Sequence, residues 1–217
     1  MIRAVLFDMD GVLVDTEWFY NRRRVAYLET KGFTFDEIPD LSGSNEKAIW
    51  EYFVPDDPVR REELRLGYSA YQKDHPVPYE ELLNRDAAPV MRALHERGVK
   101  LAIASSSYRE LIDELVDIAG LGDVLDFTIS GHECSAFKPD PEIYVRAMEA
   151  LGVAPEESLV IEDSPLGIEA GRRAGARVLA LRPHEGVVLD QSGADRIIGS
   201  LTEILDETEG ARLSEYR

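Results

Sequence analysis

Short, nearly unbroken apolar runs recur along the chain, beginning with Ala4-Val5-Leu6-Phe7 and continuing at 99–104, 127–129, 159–161 and 178–181. Runs this short, with so few polar residues, predict strands buried on both faces. Between them, 89–97, 110–118 and 141–151 place apolar residues three to four apart, the spacing of a helix with one face in a core. Strand and helix in regular alternation predict an α/β fold, a parallel sheet covered by helices, because parallel neighbours need a crossover between them.

Helix ends are marked where this phasing needs them. Ser107-x-x-Glu110 has the form of a capping box, while Asp140-Pro141 and Ser164-Pro165 each set a capping side chain before a first-turn proline. Gly120, Gly152 and Gly175 stand where helices should stop. The alternation breaks between 17 and 83, where 18–30, 45–53 and 58–73 all read as helices with no strand between them. A helical insert is therefore predicted, giving a core of 1–16 and 84–217 and a helical domain of 17–83. Its aromatics, among them Trp18, Trp50, Tyr68 and Tyr71, are expected to bury area in a small bundle rather than form a recognition surface.

Charge narrows the partners. Asp and Glu outnumber Lys and Arg by 42 to 24 in a chain of 217 residues, a net charge of −18. Such a surface repels phosphate backbones and anionic lipid, so neither a nucleic acid nor a membrane is expected as a partner. No apolar run approaches the ~20 residues of a membrane span. Asp8 and Asp10 interrupt the first apolar stretch, which is thus no signal-peptide core, and a cytoplasmic protein is expected. A single cysteine, Cys134, and dispersed histidines (His75, His95, His132, His184) exclude an internal disulfide and a thiolate-rich metal site. A monomer is the base-rate expectation, and the polar stretch 206–217 is expected to fray.

Candidate chemistry gathers at the ends of the predicted strands. Asp8 and Asp10 stand two apart just after the first apolar run, followed by Gly11. Ligands of open parallel sheets bind at the carboxyl ends of the strands, so both acids are aimed at a site, and carboxylates desolvated there need a cation. Glu162-Asp163 follows the run 159–161 in the same position. Four carboxylates converging on one crevice repel one another; hard oxygen ligands around a divalent cation resolve this, and Mg²⁺ suits a site that also holds a phosphate. Ser105-Ser106-Ser107 follows a strand and precedes a helix, where hydroxyls and backbone N–H groups can cradle phosphate, although such a run taken alone is weak evidence beside simple capping. Lys138-Pro139 adds a point charge for a phosphoryl oxygen or an aspartate nucleophile. Neither G-x-G-x-x-G nor G-x-x-x-x-G-K-S/T follows any predicted strand, which argues against a nucleotide-cofactor site.

Taken in order, Asp8-x-Asp10-Gly11, Ser105, Lys138-Pro139 and Glu162-Asp163 resemble the four motifs of the haloacid dehalogenase superfamily, over nearly the whole chain. Asp10-Gly11-Val12-Leu13-Val14-Asp15-Thr16-Glu17, Lys138-Pro139-Asp140-Pro141-Glu142-Ile143-Tyr144 and Glu162-Asp163-Ser164 are similar to its phosphatase and β-phosphoglucomutase-like subgroup. The resemblance implies a Rossmann-like parallel-sheet core with an inserted α-helical cap. It also implies roles: Asp8 would attack phosphorus and become an aspartyl phosphate, and Asp10 would serve as general acid and then base. Ser105 and the backbone of Ser106 would hold phosphoryl oxygens, and Lys138 would orient Asp8 and the transferring group. Asp8, the backbone carbonyl of Asp10, Glu162 and Asp163 would hold Mg²⁺. Dehalogenating relatives do not keep the second aspartate as an acid/base, so Asp10 implies a phosphate ester as substrate.

The expected function is a Mg²⁺-dependent phosphatase acting on a small phosphorylated metabolite, with sugar phosphates the class the resemblance implies, and a cap that excludes water and reads the leaving group. The alternative is a β-phosphoglucomutase-like phosphotransferase. Those relatives carry a histidine in the first cap helix and an arginine in the loop after it, where a gap-free placement finds Tyr20 and Glu46, with Lys47 or Arg22 as nearby substitutes. A third reading, a non-catalytic phosphate sensor, predicts loss of a catalytic group, yet Asp8, Asp10, Ser105, Lys138 and Asp163 are all present. Asn84-Arg85-Asp86 replaces the Tyr-Pro-Gly turn of many relatives, with no role legible from the sequence.

Overall fold

The apolar runs become strands of one sheet. The structure is a computed structural model describing residues 1–38, 41, 46–183 and 187–208. Among these, β1 (Ala4–Phe7), β2 (Lys100–Ser105), β3 (Phe127–Ser130), β4 (Ser158–Glu162), β5 (Arg177–Leu181) and β6 (Arg196–Ile198) pair in parallel in the order β3-β2-β1-β4-β5-β6. β6 has no predicted counterpart: Arg196 and Ile197 are exposed at the sheet edge, so it carries no apolar run. The chain builds outward from β1 through β2 to β3, then crosses back to lay β4 on the other side of β1. The carboxyl ends of β1 and β4 therefore flank the point where strand order reverses, the place where open α/β sheets bind ligands.

Both faces of the sheet are buried, which is why its strands lack polar alternation. Ala4, Leu6, Ala102, Ala104, Val160, Val178 and Ala180 share one core cluster with α7 (Glu142–Leu151) and α8 (Pro165–Arg173). The alternate positions Val5, Phe7, Leu101, Ile103, Leu159 and Ile161 are equally buried, and α5 (Ala87–Glu96) packs on β2. The remaining helices are α1 (Glu17–Glu29), α2 (Glu46–Phe53), α3 (Pro58–Asp74), α4 (Tyr79–Leu82), α6 (Arg109–Ala119) and α9 (Ile204–Glu207). No helix of the described residues is long and apolar enough to cross a membrane. The expected helix start at Asn45, His184 and the tail from 209 onward lie outside the described residues.

The chain divides into two compact units, Met1–Asp15 with Tyr79–Arg217, and Thr16–Pro78. The second boundary thus falls at Pro78/Tyr79 rather than at 83/84. The reason is α4, which packs on α6, together with backbone bonds from Asp15 N to Leu82 O and from Asn84 N to Leu13 O, which tie 79–83 to the sheet unit. In the other unit α1, α2 and α3 enclose Val25, Tyr27, Leu28, Trp50, Phe53 and Tyr68, the expected bundle core, whereas Trp18 and Tyr52 stay exposed.

Helix punctuation holds except at two helix starts; at α7 the N-cap position is Pro141 rather than Asp140 and makes no side-chain cap bond. The Ser164 hydroxyl accepts from Gly167 N at 3.1 Å to cap α8, Asp140 Oδ1 accepts from Glu142 N at 3.0 Å ahead of α7, and Gly120 and Gly152 end α6 and α7 in the left-handed conformation. Ser107 does not cap α6. The N-cap position is Tyr108, which makes no side-chain cap bond, and the Ser107 hydroxyl is drawn instead to Asp10.

Candidate active site

The loop after β1 and the end of β4 bring three carboxylates together. Asp8 N donates to Ile161 O at 2.9 Å, so the register between the two strands continues one residue past β1 and sets Asp8 beside Glu162 and Asp163. Ligand atoms of Asp8, Glu162 and Asp163 all lie within 4.8 Å of one another, and all three residues are buried. Close approach depends on Gly11, whose φ of 77° is left-handed and whose missing Cβ would overlap Asp163 Oδ2. Gly167 plays the same part for Glu162, because a Cβ there would overlap that carboxylate.

Lys138 is the cation among these acids. Its Nζ donates to Asp8 Oδ1 (2.8 Å), Glu162 Oε1 (2.7 Å) and the carbonyl of Ala104 (3.0 Å). Glu162 Oε1 also accepts from the Tyr144 hydroxyl at 2.7 Å, while Oε2 accepts from Asp163 N, Ser164 N and Ser164 Oγ at 3.0–3.2 Å. Both Glu162 oxygens are therefore occupied by donors, and its main work in the structure is to anchor Lys138 and the start of α8. The sequence reading missed Tyr144 as a polar partner: at a helical apolar spacing a tyrosine reads as core, and only the hydroxyl's position against Glu162 reveals more.

Electrostatics follow from the count of charges. Three buried carboxylates face one ammonium. Burial first, and the Glu162 carboxylate second, push the Asp8 carboxyl up to about 8, against the pull of Lys138. Burial works against the charge of Lys138, but Asp8 and Glu162 outweigh it and hold the ammonium well above its ordinary value. The Tyr144 hydroxyl is raised well above its usual range by burial and by Glu162.

Asp10 is not one of the three clustered carboxylates; its Oδ2 accepts from Ser107 Oγ at 2.7 Å, and its charge adds to the upward push on Asp8. Its carboxylate is thus outside the acidic triad, leaving only its backbone carbonyl for the metal role implied by resemblance. Ser105 is fully buried and its hydroxyl accepts from Ser107 N at 3.0 Å, so it shapes the turn after β2. Ser106 is exposed between them. Ser130 Oγ, at the end of β3, donates to Ser107 O at 2.6 Å and fixes the same turn; a lone strand-end serine carries no sequence signal that finds it.

In the helical unit, Glu46 lies 3.9 Å from Arg65, Lys47 is 3.9 Å from Glu51, and Arg22 sits over the Trp18 ring at 5.7 Å. The acid at the mutase arginine position and both candidate substitutes are thus engaged within that unit.

A parallel sheet with paired acids at its reversal point and a lysine between them is an arrangement suited to phosphate chemistry. Residues 2–175 match the haloacid dehalogenase-like hydrolase family, and the chain belongs to it. It is 32% identical to the phosphorylated carbohydrates phosphatase of Thermotoga maritima, over 94% of this chain and all of that one. It is 29% identical to the phosphoglycolate phosphatase of Aquifex aeolicus, over 81% of this chain and 83% of that protein. Among solved structures, a haloacid dehalogenase family hydrolase from Deinococcus radiodurans with bound phosphate and sodium superposes with a TM-score of 0.73 at 28% identity, covering 97% and 96% of the two chains. The chain is an enzyme of the phosphoric monoester hydrolase class.

Proposed function

We propose that the protein is a Mg²⁺-dependent phosphatase that hydrolyses a small phosphorylated metabolite, a sugar phosphate, through an aspartyl phosphate on Asp8. The observation that carries the metal is the buried acidic triad with a single lysine: unbalanced carboxylates held this close need a divalent cation, and their hard oxygen donors fit one. Asp8 and Asp163, with the Asp10 carbonyl, would hold the cation, and Glu162 would support them through Lys138 and the α8 N-terminus. When bound, Mg²⁺ neutralises charge on Asp8 and on the phosphoryl oxygens.

Asp8 attacks phosphorus, the ester P–O bond breaks, and Asp10 gives its proton to the departing alkoxide. Water then attacks the phosphorus of the aspartyl phosphate, Asp10 takes the water's proton, and the P–O bond to Asp8 breaks to release phosphate. Lys138, whose three N–H groups go to Asp8 Oδ1, Glu162 Oε1 and the Ala104 carbonyl, holds the nucleophile and presents its positive charge to the phosphoryl group. The turn 105–107 offers Ser105 and the backbone of Ser106 to phosphoryl oxygens, while Ser107 orients Asp10. The substrate is a free metabolite rather than a nucleic acid or membrane lipid, in keeping with the net charge of −18, and the protein works as a cytoplasmic monomer. Glu46 beside Arg65 speaks against a cationic clamp for a second phosphate, and so against the mutase reading.

The test is phosphate release from a panel of phosphorylated metabolites with and without Mg²⁺, with Asp8→Asn alongside and glucose 1-phosphate assayed for isomerisation. Release should depend on Mg²⁺ and fall by about 10³-fold or more in Asp8→Asn. Wild-type release by that variant removes Asp8 as nucleophile, and isomerisation without release makes the protein a mutase.

A further inference from the structure

The sheet unit carries an exposed aromatic cluster on the same loops that hold the candidate catalytic residues. The rings of Tyr108 and His132 stack at 3.9 Å with an interplanar angle of 12°, and Phe137 meets His132 edge-on at 4.9 Å and 82°. Tyr108 is 58% and Phe137 50% exposed. Rings that contact one another while exposed to solvent offer a flat face to a ligand.

Tyr108 holds the N-cap position of α6, where a Ser, Thr, Asp or Asn would satisfy a backbone N–H, yet it makes no cap bond. Phe137 stands in the loop after β3 with half its surface in solvent. Their placement is specific to the site. Tyr108 directly follows Ser107, the partner of Asp10, and Phe137 directly precedes Lys138, the partner of Asp8. Gly131 separates Phe137 from the phosphate cradle: a Cβ on it would lie 3.0 Å from the Phe137 ring and 3.3 Å from Ser106 Cα.

We propose that Tyr108, His132 and Phe137 form a stacking subsite for the leaving group, selecting phosphate esters whose alcohol or phenol presents a flat ring face. The inference rests on the phosphatase reading, since it takes the turn 105–107 as the phosphate cradle. Aromatic rings and the C–H face of a sugar ring share the chemistry required, a flat weakly polar surface that lies against a π system.

The experiment titrates the full chain in Mg²⁺ with two phosphonates that resist hydrolysis and differ in the ring, phenylphosphonate and methylphosphonate. The wild type should bind the phenyl probe about fivefold more tightly or better, and Tyr108→Ala and Phe137→Ala should each reduce that preference toward unity. Tyr108→Phe, which keeps the ring, should retain it. Equal or undetectable binding of the two probes by the wild type, or a preference untouched in both alanine variants, overturns the proposal. Phosphate release is followed separately: its absence from the wild type sinks the phosphatase reading, while the phenyl-to-methyl preference still decides the subsite.

Discussion

Gly11 shows how one residue without a side chain can hold a site together. Its φ of 77° suits glycine, and its bare Cα lets Asp163 approach the loop that carries Asp8. Gly11→Ala should lower stability by about 1–2 kcal/mol for the left-handed backbone alone. It should further displace Asp163 and abolish the rise in melting temperature that Mg²⁺ brings to the wild type. Gly98→Ala is the control: its φ is also 77°, but nothing lies within 4 Å of its added Cβ, so only the backbone penalty should appear. Thermal melts of both variants with and without Mg²⁺ check this, and matching Mg²⁺ responses would remove the close approach as an explanation. The acids and Lys138 are legible in the sequence because each acid pair follows an apolar run and Lys138 stands just before a helix-start signal. The hydroxyls are less so. Ser107 reads as a helix cap from its spacing to Glu110, but a carboxylate 97 residues away in sequence is the stronger hydrogen-bond partner.

At the scale of elements, the segment 84–86 acquires a role. Asn84 N donates to Leu13 O at 2.9 Å, its side-chain amide donates to Val12 O at 3.0 Å, and its Oδ1 accepts from Asp86 N at 3.0 Å. Asp86 in turn accepts from Ser200 Oγ at 2.7 Å. One asparagine thus stitches the return of the chain to the loop leaving β1, an Asx turn in place of a proline-glycine turn. Asn84→Ala should cost about 1–2 kcal/mol through unsatisfied backbone groups at Val12 and Asp86, read from urea unfolding. A change within ~0.5 kcal/mol would mean that water replaces those bonds. Strand and helix positions follow from apolar spacing, whereas β6 and the α4 boundary do not, because both are short and take their stability from neighbours rather than from their own pattern.

For the molecule as a whole, the acidic excess couples folding to pH and to cations. The Asp8 carboxyl is raised from 3.8 to about 8 without a cation, so the folded state retains a proton there that the unfolded chain has lost. Asp8 thus contributes stability fully below the unfolded value, and that contribution declines as pH rises through the interval up to about 8. In chelator, wild-type stability relative to Asp8→Asn should fall across this window. Mg²⁺ should raise the wild-type melting temperature more at pH 8 than at pH 5, because it binds the ionised carboxylate. Melts of both proteins at the two pH values decide it, and an equal Mg²⁺ effect would separate Asp8 from the cation. The α/β alternation, the helical insert and the order of the acids, serines and lysine are written locally in the chain, since burial imposes a period on each element and chemistry sits at strand ends. Folding alone sets β4 beside β1, engages the Glu162 oxygens with Lys138, Tyr144 and the start of α8, and gathers Tyr108 and Phe137 around His132. Those facts depend on strand register and on contacts between distant residues, which no local pattern encodes.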